Sequence, residues 1–219
     1  MKKLLIIGAG GFGREVLEYA KDIAKEAIVD WEIYGFLDDN VNALDSYSYE
    51  HKVIGTISDH KVSDEYVYFC AIGAPKAKLS IGRTFLEKGA NFINLIHPSA
   101  YVASSCKMGI NVILCPDAKA TTDVTIGNFV AVDVNSICSH DSIIGDGCTI
   151  SHFCDLTGFS VLGEGVFLGS GVSVCPSVKI GDYATIGAGS VVLNNVDAGE
   201  LAYGTPAKPT KPANATIPR

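Results

Sequence analysis

Ile144-Gly145-Asp146-Gly147-Cys148-Thr149, Ile150-Ser151-His152-Phe153-Cys154-Asp155, Leu156-Thr157-Gly158-Phe159-Ser160-Val161 and Leu162-Gly163-Glu164-Gly165-Val166-Phe167 are four consecutive six-residue blocks. Each opens on an aliphatic residue and carries Cys, Ser or Val in its fifth place. Extended outward, the same frame runs from Ile96 to a block opening at Ala198, with every first place apolar and every fifth place Ala, Cys, Ser or Val. On this reading it does not slip. An α-helix repeats every 3.6 residues and a strand every 2, and neither sets a small residue at every fifth place. A parallel β-helix does: each block is one short side, three sides make a coil of about eighteen residues, and neighbouring coils bury one another's apolar face. First places point inward and the small fifth places fit the corners. Residues eighteen apart then stack on the same side.

The rest of the composition fits a folded globular chain. Hydrophobic residues make up 47% and charged residues 19% of the 219 positions, enough apolar material for a core. A net charge of −7 without a basic run argues against nucleic acid, whose affinity comes from phosphate neutralisation. The apolar run Leu4–Ile7 is too short for a signal peptide, and nothing approaches a membrane span, so the expected compartment is the cytoplasm and no membrane partner is expected. Seven cysteines without a CxxC pair suggest neither a disulfide framework nor zinc. Cys106, Cys148 and Cys154 instead fill fifth places, and Cys138 takes an inward first place.

The first 95 residues follow another rule. An apolar run, Leu4–Ile7, leads into Gly8-Ala9-Gly10-Gly11-Phe12-Gly13-Arg14, then into a helical pattern through Val16, Leu17, Tyr19, Ala20 and Ile23. A second run, Ile33–Leu37, ends in Asp38-Asp39, and a third, Tyr66–Ile72, ends in Gly73-Ala74-Pro75. This is a βαβ unit whose glycines let backbone N–H groups approach a phosphate at a helix N-terminus. The segment has room for half of a dinucleotide fold, so a single nucleotide, as in a UDP-, GDP- or dTDP-sugar, fits better than NAD. Gly10, Gly11, Phe12, Gly13, Arg14 and Gly73 are the candidate contacts, with Asp38 and Asp39 placed to accept from a ribose or base edge.

With Gly10–Glu15, Ser139-His140-Asp141-Ser142-Ile143-Ile144-Gly145-Asp146 and Gly204-Thr205-Pro206-Ala207-Lys208, the chain resembles bacterial sugar O-/N-acyltransferases of the sialic-acid O-acetyltransferase and bacillosamine-pathway N-acetyltransferase type. The resemblance implies a small Rossmann-like domain (1–95), a left-handed parallel β-helix (96–203) and a C-terminal cap (204–219). It implies a homotrimer with acetyl-CoA bound between adjacent helices, a nucleotide-sugar partner and no metal. His140, in the third place of its block, would project outward as general base, with Asp141 orienting it. Gly158, eighteen residues on, would offer an amide to the thioester carbonyl. The family's second histidine, nine residues past the base, is Thr149 here, taken as an acetyl-CoA contact; the glycine loop has Phe12 where the family commonly has His. Ala188 and Gly189 would meet the pantetheine arm, Lys208 a CoA phosphate, and Pro206, Pro209 and Pro212 would lead the chain off the repeat. The implied activity is acetyl transfer to the amine of a nucleotide-linked amino sugar, or alternatively to a sugar hydroxyl. A γ-type carbonic anhydrase lacks its close histidine pair among His97, His140 and His152; a sensing scaffold and an NAD oxidoreductase fit less well.

Overall fold

The computed structural model describes residues 1–210 of the 219. Pro212 and the rest of the expected tail lie outside the described residues.

The N-terminal βαβ reading holds with one addition. Strands β1 (Lys2–Ile7), β2 (Trp31–Leu37), β3 (Val53–Gly55) and β4 (Tyr66–Cys70) form a parallel sheet in the order β3-β2-β1-β4. β3, only three residues long, has too little pattern to be read from sequence. Helix α1 (Gly11–Glu26) buries Val16, Leu17, Ala20 and Ile23, and α2 (Pro75–Glu87) begins at its proline. Strand order reverses between β1 and β4, so the crevice at their C-terminal ends is where an open α/β sheet takes its ligand.

From Leu95 the chain winds as a triangular prism. Two-residue strands β5 (Leu95–Ile96) to β21 (Val191–Val192) stack as three parallel faces. Face I contains Ile113–Leu114, Ala131–Val132 and Thr149–Ile150; face II contains Lys119–Ala120, Ile137–Cys138 and Asp155–Leu156; face III contains Thr125–Ile126, Ile143–Ile144 and Val161–Leu162. Pairing advances by eighteen residues, as with Ile144 opposite Leu162. First-place and fifth-place residues together form one buried core. At the corners the fourth place is left-handed, as at Asn135 (φ 59°) and Asp141 (φ 59°). Such a turn suits Asn, Asp and Gly. Second-place glycines have a separate cause: a Cβ at Gly127 would lie 2.3 Å from Asp146 Oδ1, the carboxylate that accepts from the Asn128 amide one coil away.

The expected frame fails after Val192. Ile180 pairs with Val196 and Ile186 with Ala202, so the coil is two residues short. Val196 and Ala202 are buried, and Ala198, expected inward, is exposed. First and fifth places both face inward and both accept small aliphatics, so a two-residue deletion leaves the sequence pattern looking intact. The end of the chain also departs from a simple cap. β22 (Leu201–Gly204) extends face I, and β23 (Ala207–Thr210) folds back on it antiparallel, setting Lys208 opposite Tyr203.

The N-terminal sheet and helices sit on face I. Ile113, Cys115 and Ala131 pack into the core around α1, and Phe129 lies beneath Gly82 of α2. Lys78, 1% exposed, donates to the Cys148 carbonyl (3.1 Å) and Thr149 Oγ1 (3.0 Å). Burial lowers its pKa to about 8. The Asn111 side chain bonds both the N–H and the C=O of Cys70. These buried polar contacts fix the two parts against each other.

Candidate active site

The glycine loop connects β1 to α1 with its residues doing different jobs. Gly13 is required by the fold: a Cβ there would lie 1.9 Å from the Gly8 carbonyl oxygen. Gly10, Gly11 and Gly73 have no such reason. A Cβ at Gly10 or Gly73 meets nothing within 4 Å, and one at Gly11 meets only Arg14 Nη2 at 3.9 Å. They border open space at the switch point, beside a helix N-terminus without a side-chain cap. The Arg14 guanidinium lies 3.9 Å over the Tyr47 ring. Phe12 is partly buried in the α1 core. Asp38 and Asp39 are already engaged: Asp38 accepts from the amides of Ala9 (2.7 Å) and Asn40 (2.9 Å), Asp39 from those of Ile57 (2.9 Å) and Ser58 (3.2 Å). The first acidic residue thus holds the glycine loop itself.

His140 stands on the corner between faces II and III, its side chain half exposed. The Ser139–Ser142 turn that carries it is closed by the Ser142 N–H donating to Ser139 O, with the buried Ser142 hydroxyl donating there as well. Asp141 Oδ2 lies 2.9 Å from His140 Nδ1. A carboxylate there holds the proton on Nδ1 and leaves the Nε2 lone pair free to accept one. The ring lies over Gly158 as the eighteen-residue rule requires: a Cβ at Gly158 would be 2.4 Å from His140 Cε1. Gly158 is buried, and its amide finds no acceptor among the described residues. At the III/I corner such third-place amides are capped by an Asn or Asp one coil on, as Asn128 is by Asp146, and Pro176, one coil on from Gly158, offers no such group. A buried, unsatisfied N–H beside an imidazole is a place for a ligand oxygen. Phe159 meets the imidazole edge to face, centroids 5.3 Å apart.

The remaining candidates do not join His140. Thr149 lies on face I under the N-terminal domain, its hydroxyl donating to the Gly73 carbonyl (2.8 Å) and accepting from Lys78. Nine residues is one and a half sides of the prism, which turns it away from the base. Ala188 and Gly189 are exposed on the I/II corner, and the exposed Lys208 lies on β23 nearby. Glu15, one residue past the glycine loop, lies against Asp133 and His152 on that same I/II edge. Its pKa is raised by burial first and by the Asp133 carboxylate second. The glycine-loop end of α1 and the pantetheine candidates therefore share one edge of face II, and His140 occupies the other.

Three family models match parts of the chain: a PglD N-terminal domain over residues 3–85, a bacterial transferase hexapeptide over 159–194, and a GMPPB C-terminal domain over 92–175. A GDP-perosamine N-acetyltransferase of Escherichia coli O157:H7 is 29% identical over 97% of this chain and 98% of its own. The acetyltransferase domain of PglB from Neisseria gonorrhoeae, solved with acetyl coenzyme A, superposes with a TM-score of 0.85 at 29% identity, covering 95% of this chain and 99% of that one. PerB from Caulobacter crescentus, solved with CoA and GDP-perosamine, gives 0.83 at 28%, covering 96% and 98%. Along nearly its whole length the chain is similar to bacterial sugar N-acetyltransferases.

Two features of this chain escaped the sequence reading. Lys78 falls on the apolar stripe of α2 with Pro75, Leu79, Gly82 and Phe85, and a lysine in such a stripe is a legible signal of a buried polar contact. The Asp133–His152 pair (3.3 Å) joins residues nineteen apart, which the eighteen-residue rule brings to one corner. No group of three or more His, Cys, Asp or Glu residues among the described residues is placed to hold a metal, and no helix there is long and apolar enough to cross a membrane. The Gly158–His140 contact makes a prediction. Gly158→Ala displaces the imidazole, and acyl transfer should fall about 10²-fold or more while thermal stability changes little, read from steady-state rates beside a melting curve.

Proposed function

We propose that this chain transfers the acetyl group of acetyl-CoA to the amine of a nucleotide-linked amino sugar, a 4-amino-deoxy sugar, with His140 as general base. The observation that carries this is the His140–Asp141 pair, with Nε2 free above Gly158. The neutral amine attacks the thioester carbonyl. The oxyanion takes its hydrogen bond from the Gly158 amide, whose own partner is missing. His140 Nε2 accepts the proton from nitrogen, the C–S bond breaks, and the proton passes to the departing CoA thiolate. Positioning both substrates supplies much of the rate, so no covalent enzyme intermediate is required. The nucleotide rests at Gly10, Gly11 and Gly73, its phosphates at the α1 N-terminus. The pantetheine arm runs along Ala188 and Gly189, with Lys208 toward a CoA phosphate.

These groups occupy two edges of face II, separated by one side of the prism, on the order of 15 Å at ~3.3 Å per residue. A homotrimer reunites them, with one copy's glycine loop facing its neighbour's His140. An amine acceptor is favoured over a hydroxyl because the Escherichia coli relative is a GDP-perosamine N-acetyltransferase and PerB is solved with CoA and GDP-perosamine. Both substrates are cytoplasmic metabolites, and we place the protein there.

The test incubates the protein with acetyl-CoA and GDP-, UDP- or dTDP-linked 4-amino sugars, then treats the product with mild alkali. An acetyl group that survives is an amide, as expected. One that is released is an ester and overturns the amine assignment, and no transfer to any of them overturns the function.

A further inference from the structure

The corner residue with positive φ costs a side chain about 1–2 kcal/mol, which Asn, Asp and Gly tolerate best. Among the described residues, ten non-glycine positions have positive φ; six are Asn, Asp or Ser and four are aromatic: Phe129, Phe153, Phe159 and Tyr183. Two of the four have a visible reason. Phe129 is buried under α2 against Phe92, and Tyr183 bonds Glu164 beneath Lys76. Both face the N-terminal domain. The other two do not: Phe153 is 66% exposed and Phe159 55%, the latter touching His140 with one edge.

Their placement is specific. They stand in consecutive six-residue blocks, within one coil of each other, on the two edges of face II. Phe153 shares its edge with His152 and the Glu15 end of the glycine loop; Phe159 shares its edge with His140 and the exposed Ile143. Two complementary patches at equal height on the two edges of one face are what a heterologous ring requires. Rotation about an axis parallel to the prism brings one edge onto the other without changing height, and three triangular prisms close the ring.

We infer that Phe153 of one copy packs against Phe159 and Ile143 of the next, walling the His140 site from the neighbouring subunit. The inference rests on the trimeric acetyltransferase reading above and adds to it the residue the partner contributes. The occupant is a second copy because only a second copy supplies the missing half: each chain carries its glycine loop on the Phe153 edge and its base on the Phe159 edge. An aromatic pair at such a seam excludes water from the thioester and fixes the distance between the two halves.

The experiment places a photo-reactive benzoylphenylalanine at position 153 in a mixture of ¹⁴N- and ¹⁵N-labelled chains. Irradiation should give covalent dimers and trimers whose cross-linked peptides pair the two labels and contain Ile143 or Phe159. A second variant, Phe153→Asp, should weaken association at least ~30-fold in sedimentation while keeping its circular dichroism, because the side chain supports nothing in its own chain. Cross-links confined to one chain, or mapping to peptides that contain neither Ile143 nor Phe159, overturn the inference, as does an unweakened trimer in Phe153→Asp. Acetyl transfer by the unmodified protein is measured in parallel. Transfer without the cross-link sinks the interface alone; the cross-link without transfer sinks the assigned activity and leaves the interface standing.

Discussion

His140→Ala should lower kcat/KM for acetyl transfer by about 10²–10⁴-fold, the range a positioned general base contributes. That corresponds to ~3–6 kcal/mol of transition-state stabilisation. The side chain is half exposed and holds up no core, and the Ser139–Ser142 turn is closed by the Ser142 amide and hydroxyl rather than by the imidazole. The variant should therefore melt within a degree or two of the parent and bind acetyl-CoA with similar affinity. Asp141→Asn tests the arrangement more finely. It keeps the shape but removes the charge that holds the proton on Nδ1. Its loss should be smaller than that of His140→Ala, because the imidazole stays in place and only the carboxylate that fixes its tautomer is gone. A His140→Ala enzyme within a few-fold of wild type, with both ligands still bound, would rule out the base assignment.

Much of this site follows from one number. Once the coil length is eighteen, Gly158 must sit above His140 and Asp133 must reach the corner of His152, whatever the handedness of the winding. Periodicity is legible because each coil repeats the same steric problem, and the sequence answers it the same way each time. What it does not show is where the rule is broken. The short coil after Val192 hides behind the similarity of first and fifth places. Thr149 looks close to His140 in number, yet half a side of extra chain aims it at Gly73 and Lys78. Asp38 reads as a ribose acceptor because it ends a strand. Only the fold reveals that the Ala9 amide is already waiting for it. The division of the site over two edges of face II is likewise invisible in one dimension. Sequence order places the glycine loop and His140 in one list of residues; the prism sends them around a corner from each other.

Stability should collapse in mild alkali, for a reason built into the same repeat. Five thiols are enclosed by the prism or by the sheet packed on it. Burial pushes Cys70, Cys138 and Cys148 up to about 12, Cys154 up to about 11, and Cys115 in the same direction. A thiol whose pKa is raised on folding contributes stability that is complete below its unfolded pKa near 9, and that is lost as pH climbs toward the folded value. Lys78 acts oppositely. Its folded pKa of about 8 lies below the unfolded 10.5, so between those values rising pH favours the folded state. Each thiol is worth about 1–2 kcal/mol per pH unit in its window, and one lysine offsets one thiol. With Cys70, Cys138, Cys148 and Cys154 in their window and Lys78 offsetting one of them, the net slope is roughly 4 kcal/mol per pH unit around pH 10, a large part of the whole stability of a typical domain. The urea midpoint should accordingly be flat to pH 8.5 and fall steeply by pH 10.5 under reducing conditions. Cys138→Val isolates one contribution: valine already fills the equivalent inward place at Val132 and Val174, so packing is kept and the slope should lessen by one proton. A midpoint that stays level from pH 8.5 to 10.5 would mean that water reaches these thiols, and that the prism interior is not the sealed, small-residue core on which the coil geometry depends.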